Sequence, residues 1–156
     1  MTNTPGSDGA DATLQIIPPD ECYRLLGTQE VGRIGVNAEH YPLIVPVNYG
    51  LDGTTIVIRT SPGTKLTGAS HANVTFEVDE IDQRSRSGWS VLVRGLAEEV
   101  AGGHSPELVA RTHAADVAPW APGDHGNWLR IIPHQISGRR IVPGELPPAV
   151  DPRAYL

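Results

Sequence analysis

The sequence predicts an all-β-dominated fold, a barrel or sandwich of about six short strands with a few short helices. Three observations carry that prediction. Between residues 31 and 142 the chain runs through segments rich in β-branched residues, and NVTFEVDEI (73–81) alternates cleanly: Val74, Phe76 and Val78 fall on one face, Thr75, Glu77 and Asp79 on the other. Asp52-Gly53 joins YPLIVPVNYGL (41–51) to TTIVIRTS (54–61), which is hairpin turn chemistry. Regular helices do not separate the strands, which argues against a doubly wound parallel sheet.

Taken in order, residues 1–13 are small, polar and acidic and read as a disordered arm. Residues 14–142 form the domain. Pro18-Pro19-Asp20-Glu21 opens a short helix, because proline suits a first turn and acidic groups favour the positive helix end. Cys22, Leu25 and Leu26 then make one buried stripe, and Gly27 is the stop. Strands follow at 31–38, 41–51, 54–61, 73–81, 90–100 and 127–142, the last broken by Pro133; short helices fit at 64–72 and 105–115. Pro46 inside a strand demands an edge or an interrupted ladder, which leaves backbone groups free to meet a ligand. Residues 143–156 hold four prolines and read as an extended strap or a loose end.

Composition narrows the function classes. The chain has 156 residues, 39% of them hydrophobic, and a formal charge of −6, which excludes a disordered chain and the basic footprint of a general nucleic-acid binder. No apolar run approaches the roughly 20 residues of a membrane span. The single Cys22 excludes an intramolecular disulfide and a Cys-rich zinc site, and the six histidines show no ligand spacing, so no metal is expected. The first residues lack a secretory pattern, so a cytoplasmic location is expected.

The most informative stretch is Arg59-Thr60-Ser61-Pro62-Gly63-Thr64-Lys65-Leu66. It ends a strand and enters a helix. Free N–H groups and hydroxyls gather there, and Lys65 is the only lysine beside eleven arginines. A cation in a first helical turn opposes the helix dipole, a cost that a bound anion would offset. The stretch reads as a phosphate cradle or, equally, as an ordinary capped helix with a solvated lysine. Pro46 and Asn48 share one strand face, Val47 and Tyr49 the other; Asn48 suits an imide edge, although a core strand with one polar residue explains it as well. Trp89 and Ser90 begin a strand. Trp120 and Trp128 flank a Pro-rich loop and are candidate pocket walls. No Gly-x-Ser-x-Gly elbow occurs.

VGRIGV, PLIVPVNYGLDG, IVIRTSPGTKL, VTFEVDEID, GWSVLVRGLAEEV and WLRIIPHQISGRRI, in this order over residues 18–142, resemble the pyridoxamine 5′-phosphate oxidase-like family, and within it the actinobacterial flavin- or deazaflavin-binding split-barrel proteins. The resemblance implies a six-stranded antiparallel split β-barrel that forms a homodimer and binds FMN at the dimer interface. Carried over, Arg59, Thr60, Ser61 and Lys65 would hold the phosphate, with Leu66 beside them. Pro46, Val47, Asn48 and Tyr49 would line the ring. Trp89 and Ser90 would close the site from the other subunit. The true oxidase's substrate motif near the C-terminus is not apparent, which speaks against vitamin B6 oxidation. The expectation is an FMN-dependent oxidoreductase of a small molecule. The alternatives are an F420-dependent reductase, with Arg84 and Arg86 at the mouth, and a non-enzymatic flavin or haem binder. Lys65→Ala is expected to weaken FMN binding by about 1–3 kcal/mol, read by titration.

Overall fold

The computed structural model describes residues 11–62, 66 and 69–144. Residues 1–10 of the expected arm, 145–156 of the expected tail, and Gly63, Thr64, Lys65, Thr67 and Gly68 lie outside the described residues.

The described residues form seven strands, β1 (Thr13–Ile17), β2 (Val31–Ala38), β3 (Tyr41–Asp52), β4 (Thr55–Thr60), β5 (Ala72–Asp82), β6 (Ser87–Val100) and β7 (Asn127–Val142), and two helices, α1 (Pro19–Leu26) and α2 (Pro106–His113). Every pairing is antiparallel, in the order β1-β7-β4-β3-β2-β5-β6, and β6 pairs again with β7. The ring therefore closes through β7, β4, β3, β2, β5 and β6, while β1 extends it as a seventh strand. The expectation of six strands missed β1, because its Leu14 and Ile16 lie exposed and carry no buried alternation.

The interior follows the strand period. Ile34 of β2, Ile56 and Ile58 of β4, Phe76 and Val78 of β5, Val91 and Val93 of β6 and Ile131 of β7 are fully buried. Each large apolar side chain so buried contributes roughly 1.5–3 kcal/mol. Phe76 sets the spacing at the centre. Its ring meets Tyr49 edge-on at 5.0 Å, and it fills the space left by Gly32, where a Cβ would fall 2.3 Å from the ring. Helix α1 plugs one end through Cys22, Leu25 and Leu26, the predicted stripe, and Gly27 caps it.

Two expectations change. β7 is not broken at Pro133. The residues opposite shift register between Arg94 and Gly95, so that β7 carries one extra residue, His134, as a bulge. Pro133 is tolerated because residues 132–137 lie between the stretch of β7 bonded to β4 and the stretch bonded to β1. Gly95 is required at the bulge, since a Cβ there would stand 2.3 Å from the Ile132 carbonyl oxygen. Gly95→Ala is expected to destabilise by about 1–3 kcal/mol in urea or thermal melts. In the stretch expected as a helix at 64–72, Ala72 instead opens β5, and His71 takes a left-handed conformation (φ 58°) as its N–H joins the Ala97 carbonyl.

A buried ion pair fastens α2 to the barrel. Arg130 of β7, 5% exposed, donates to Asp52 at 2.7 Å and to the Thr112 hydroxyl at 2.8 Å, and Arg111 meets Asp52 from the solvent side at 3.1 Å. The Arg130 guanidinium holds the Asp52 carboxyl below its usual range against the opposing effect of desolvation.

Candidate functional site

The β3–β4 ladder stops early. Tyr49–Asp52 pair with Ile58–Thr55, but Arg59 and Thr60 at the end of β4 pair only with Trp128 and Asn127 of β7. Tyr41–Asn48 thus keep one strand edge without a β partner, and Pro46, which has no N–H to offer a neighbouring strand, lies within that stretch. The gap is a cleft of about 500 Å³. One wall is Val45–Asn48, the floor is Arg59, Thr60, Ser61 and Leu66, and the far wall is the loop carrying Pro119, Ala121, Pro122 and His125. The volume is that of a small-molecule site.

Among the described residues Arg59 is the cation of the cleft. Its guanidinium lies 4.9 Å over the Trp128 ring, which in turn stacks on His113 at 4.6 Å. Its Nε donates to the His125 carbonyl at 3.2 Å and Nη1 to the Val117 carbonyl at 3.3 Å. Among the described residues no carboxylate pairs with it. His125 Nε2 donates to the Ala121 carbonyl at 2.8 Å, and its Nδ1 lies 3.3 Å from the Ser61 hydroxyl. The Asn48 side chain accepts from Trp120 N–H at 2.9 Å and donates to the Glu30 carbonyl at 3.4 Å. Asn48, Arg59 and Ser61 therefore hold the far wall in place as well as lining the cleft. Asn48→Ala is expected to release that wall, costing about 1 kcal/mol locally and speeding amide exchange at Trp120 roughly fivefold.

The cleft gathers Pro46, Val47, Asn48, Arg59, Thr60, Ser61 and Leu66 of the predicted set. Lys65 lies outside the described residues. Tyr49 is a correction: the strand period turns it inward, where its hydroxyl donates to the Leu26 carbonyl and burial pushes its pKa up. Trp128 is not a wall but the platform under Arg59. Trp120 sits on the wall loop with its side chain 70% exposed. Trp89 and Ser90 stand in β6 opposite Arg140 and Arg139 and do not line the cleft of their own chain. Arg84 and Arg86 fall in the β5–β6 turn and do not line it either. Sequence reasoning missed His125, whose position against Ser61 depends on the path of the loop.

A second cavity of about 500 Å³ opens at the tip of the β2–β3 hairpin, against Thr75, Arg94 and His134. It lies where the β2–β5 ladder stops at Gly35 and Thr75 and beside the Arg94–Gly95 bulge, but it sets a single hydroxyl, that of Thr75, beside its cation Arg94. Among the described residues no cluster of His, Cys, Asp or Glu could hold a metal, and no helix is long and apolar enough to cross a membrane.

A split barrel with a cleft at its interrupted edge defines a class, and comparison with known proteins names it. The family profile described as pyridoxamine 5′-phosphate oxidase matches residues 18–140, and the chain belongs to that family. An uncharacterized protein of Mycobacterium tuberculosis is 35% identical over 129 residues, covering 79% of this chain and 82% of the relative. Among solved structures, the FAD binding protein from Mycobacterium smegmatis superposes with a TM-score of 0.70 at 35% identity, over 81% of this chain and 98% of that one. An FAD-binding protein from Mesorhizobium loti gives 0.63 at 25% identity, over 84% and 98%.

Proposed function

We propose that the chain is a flavin-dependent oxidoreductase acting on a small molecule, with FMN as the cofactor and its phosphate seated against Arg59, Thr60 and Ser61. The observation that carries the reading is the uncompensated Arg59 guanidinium beside two hydroxyls in a cleft of fitting volume. A phosphate monoester carries nearly two negative charges near neutral pH, and a chain of net charge −6 needs a local cation to accept it. Lys65 belongs to the same proposed clamp. The names of the relatives from M. smegmatis and Mesorhizobium loti support a flavin, since FAD contains the riboflavin phosphate of FMN.

When bound, the flavin ring supplies the hydride chemistry. The chain's own work is to bind and orient. The Arg59 guanidinium fixes the anionic end and draws rigidity from Trp128 beneath it. Val45 and Val47 offer apolar surface to a flat ring. The Ser61 hydroxyl, 3.3 Å from the His125 ring, donates to the anionic end. In the proposed cytoplasmic homodimer, Trp89 and Ser90 of the second copy close the open side.

The absorbance spectrum of freshly purified protein tests the reading. Maxima of oxidised flavin, with FMN in the denatured supernatant, are expected. A colourless protein that binds F420 and not FMN would replace FMN with the deazaflavin, and tight flavin binding without turnover of any acceptor would leave a carrier in place of an enzyme.

A further inference from the structure

The Ser61 hydroxyl has two neighbours and one hydrogen. A serine hydroxyl offers one O–H donor and two acceptor lone pairs. Its oxygen lies 3.3 Å from His125 Nδ1, and both residues line the cleft. His125 Nε2 is already committed, because it donates to the Ala121 carbonyl at 2.8 Å, an acceptor with no hydrogen to give. Nδ1 is therefore the ring position whose hydrogen can come and go. When Nδ1 is bare it only accepts, so the Ser61 hydrogen turns to it and the hydroxyl shows the cleft its lone pairs, which repel an anion. When Nδ1 carries a hydrogen it donates to the Ser61 oxygen, and the hydroxyl hydrogen is released toward the cleft. Imidazole is the side chain that makes this exchange near neutral pH.

Resting on the reading of the cleft as an anion site, we infer that His125 is its conditional cation: an anion seated against Arg59 and Ser61 is held by a relay from His125 Nδ1–H through the Ser61 hydroxyl, and its binding takes up one proton from solvent at Nδ1. The fold prepares both ends of the relay. The Ala121 bond sets the ring orientation, and Arg59 Nε, donating to the His125 carbonyl at 3.2 Å, fixes the backbone that carries the ring. Charge works in the same direction. Among the described residues neither Arg59 nor His125 has a carboxylate partner. Two neighbouring cations disfavour one another in the empty cleft, and an anion between them removes that cost. Asp124 precedes His125 on the wall loop, but its carboxylate lies against Gly126, 3.2 Å from where a Cβ would begin. On the barrel side Arg59 is the charged group in contact, and His113 packs on Trp128 beneath it. His125 thus acts through Ser61 as a positioning residue, and affinity for an anion is highest with Nδ1 protonated and falls as pH rises.

Titration with FMN at pH 6 and pH 8 tests this in the full-length chain and two variants. His125→Gln keeps a donor for the Ala121 carbonyl and has no proton to take up. Ser61→Ala cuts the relay and leaves the imidazole. The ratio of wild-type to variant affinity cancels the titration of the ester itself, and for either variant it is expected to be about tenfold larger at pH 6 than at pH 8. Calorimetry at pH 7 in buffers of different ionisation enthalpy is expected to show wild type taking up about half a proton per site more than either variant. The amide signals of Thr60 and Ser61 report whether FMN occupies the cleft. If they move and the affinity ratios stay constant with pH, or proton uptake is equal in wild type and His125→Gln, the relay is overturned and the anion site stands. Uptake that survives in Ser61→Ala would also overturn it, since the hydroxyl would then carry nothing. If FMN leaves those amide signals unmoved, the reading of the cleft falls, and the relay with it.

Discussion

Arg59→Ala is expected to weaken FMN binding by about 10- to 100-fold, because it removes a charge-assisted contact worth roughly 1.5–3 kcal/mol. The substitution also cuts the bonds to the Val117 and His125 carbonyls, so part of the loss could arise from a loosened wall. Two variants separate the contributions. Asn48→Ala loosens the same wall through Trp120 and leaves the charge in place, so whatever affinity it loses should leave the salt dependence of wild type unchanged. Arg59→Lys keeps the charge but loses the planar fork and its stacking on Trp128, and should fall between wild type and alanine. Isothermal titration with FMN at two salt concentrations reads all three. Wild-type affinity should weaken with salt, and that dependence should be smaller in Arg59→Ala.

Asp52→Ala is the largest expected loss of stability. It leaves the Arg130 guanidinium buried with only the Thr112 hydroxyl as partner, and breaking one side of a buried pair costs about 3–5 kcal/mol. In a chain of this size the melting temperature should fall by roughly 6–20 °C. The same pair sets an acid limit. The folded-state pKa of Asp52 lies below its unfolded value near 3.8, chiefly through the Arg130 hydrogen bond, so its contribution is fully present above that value and is lost as pH falls through the lower folded one. Stability measured from pH 5 down to pH 2 should therefore drop in the parent more steeply than in Asp52→Ala.

Much of the barrel was legible in the sequence. β2 and β7 begin and end where their β-branched runs do, and the Val74-Phe76-Val78 face is the buried one. These features survive because a half-buried strand writes its environment every second residue. β1 was not legible, since it buries almost nothing and is held by backbone bonds to β7, which any side chain permits. On the site, the strand period placed Arg59 with Ser61, and Pro46 announced the broken ladder. Tyr49 entered the site only through the family resemblance, although the strand period had already placed it on the face opposite Asn48. His125 and Val117 were out of reach: they meet Arg59 and Ser61 across about 60 residues, through a loop whose path leaves no periodic signal. Asp52 with Arg130 is likewise a long-range pairing, hidden in what looked like a simple Asp-Gly turn.

The central claim is that the interrupted edge between β3 and β4 is the cofactor site. A crystal structure of the protein saturated with FMN tests it most directly. The account predicts the phosphate within hydrogen-bond distance of the Arg59 guanidinium and the Ser61 hydroxyl, with the ring along Val45–Asn48. Phosphate density against Arg94 and His134 at the β2–β3 hairpin tip, with solvent alone beside Arg59, would contradict it.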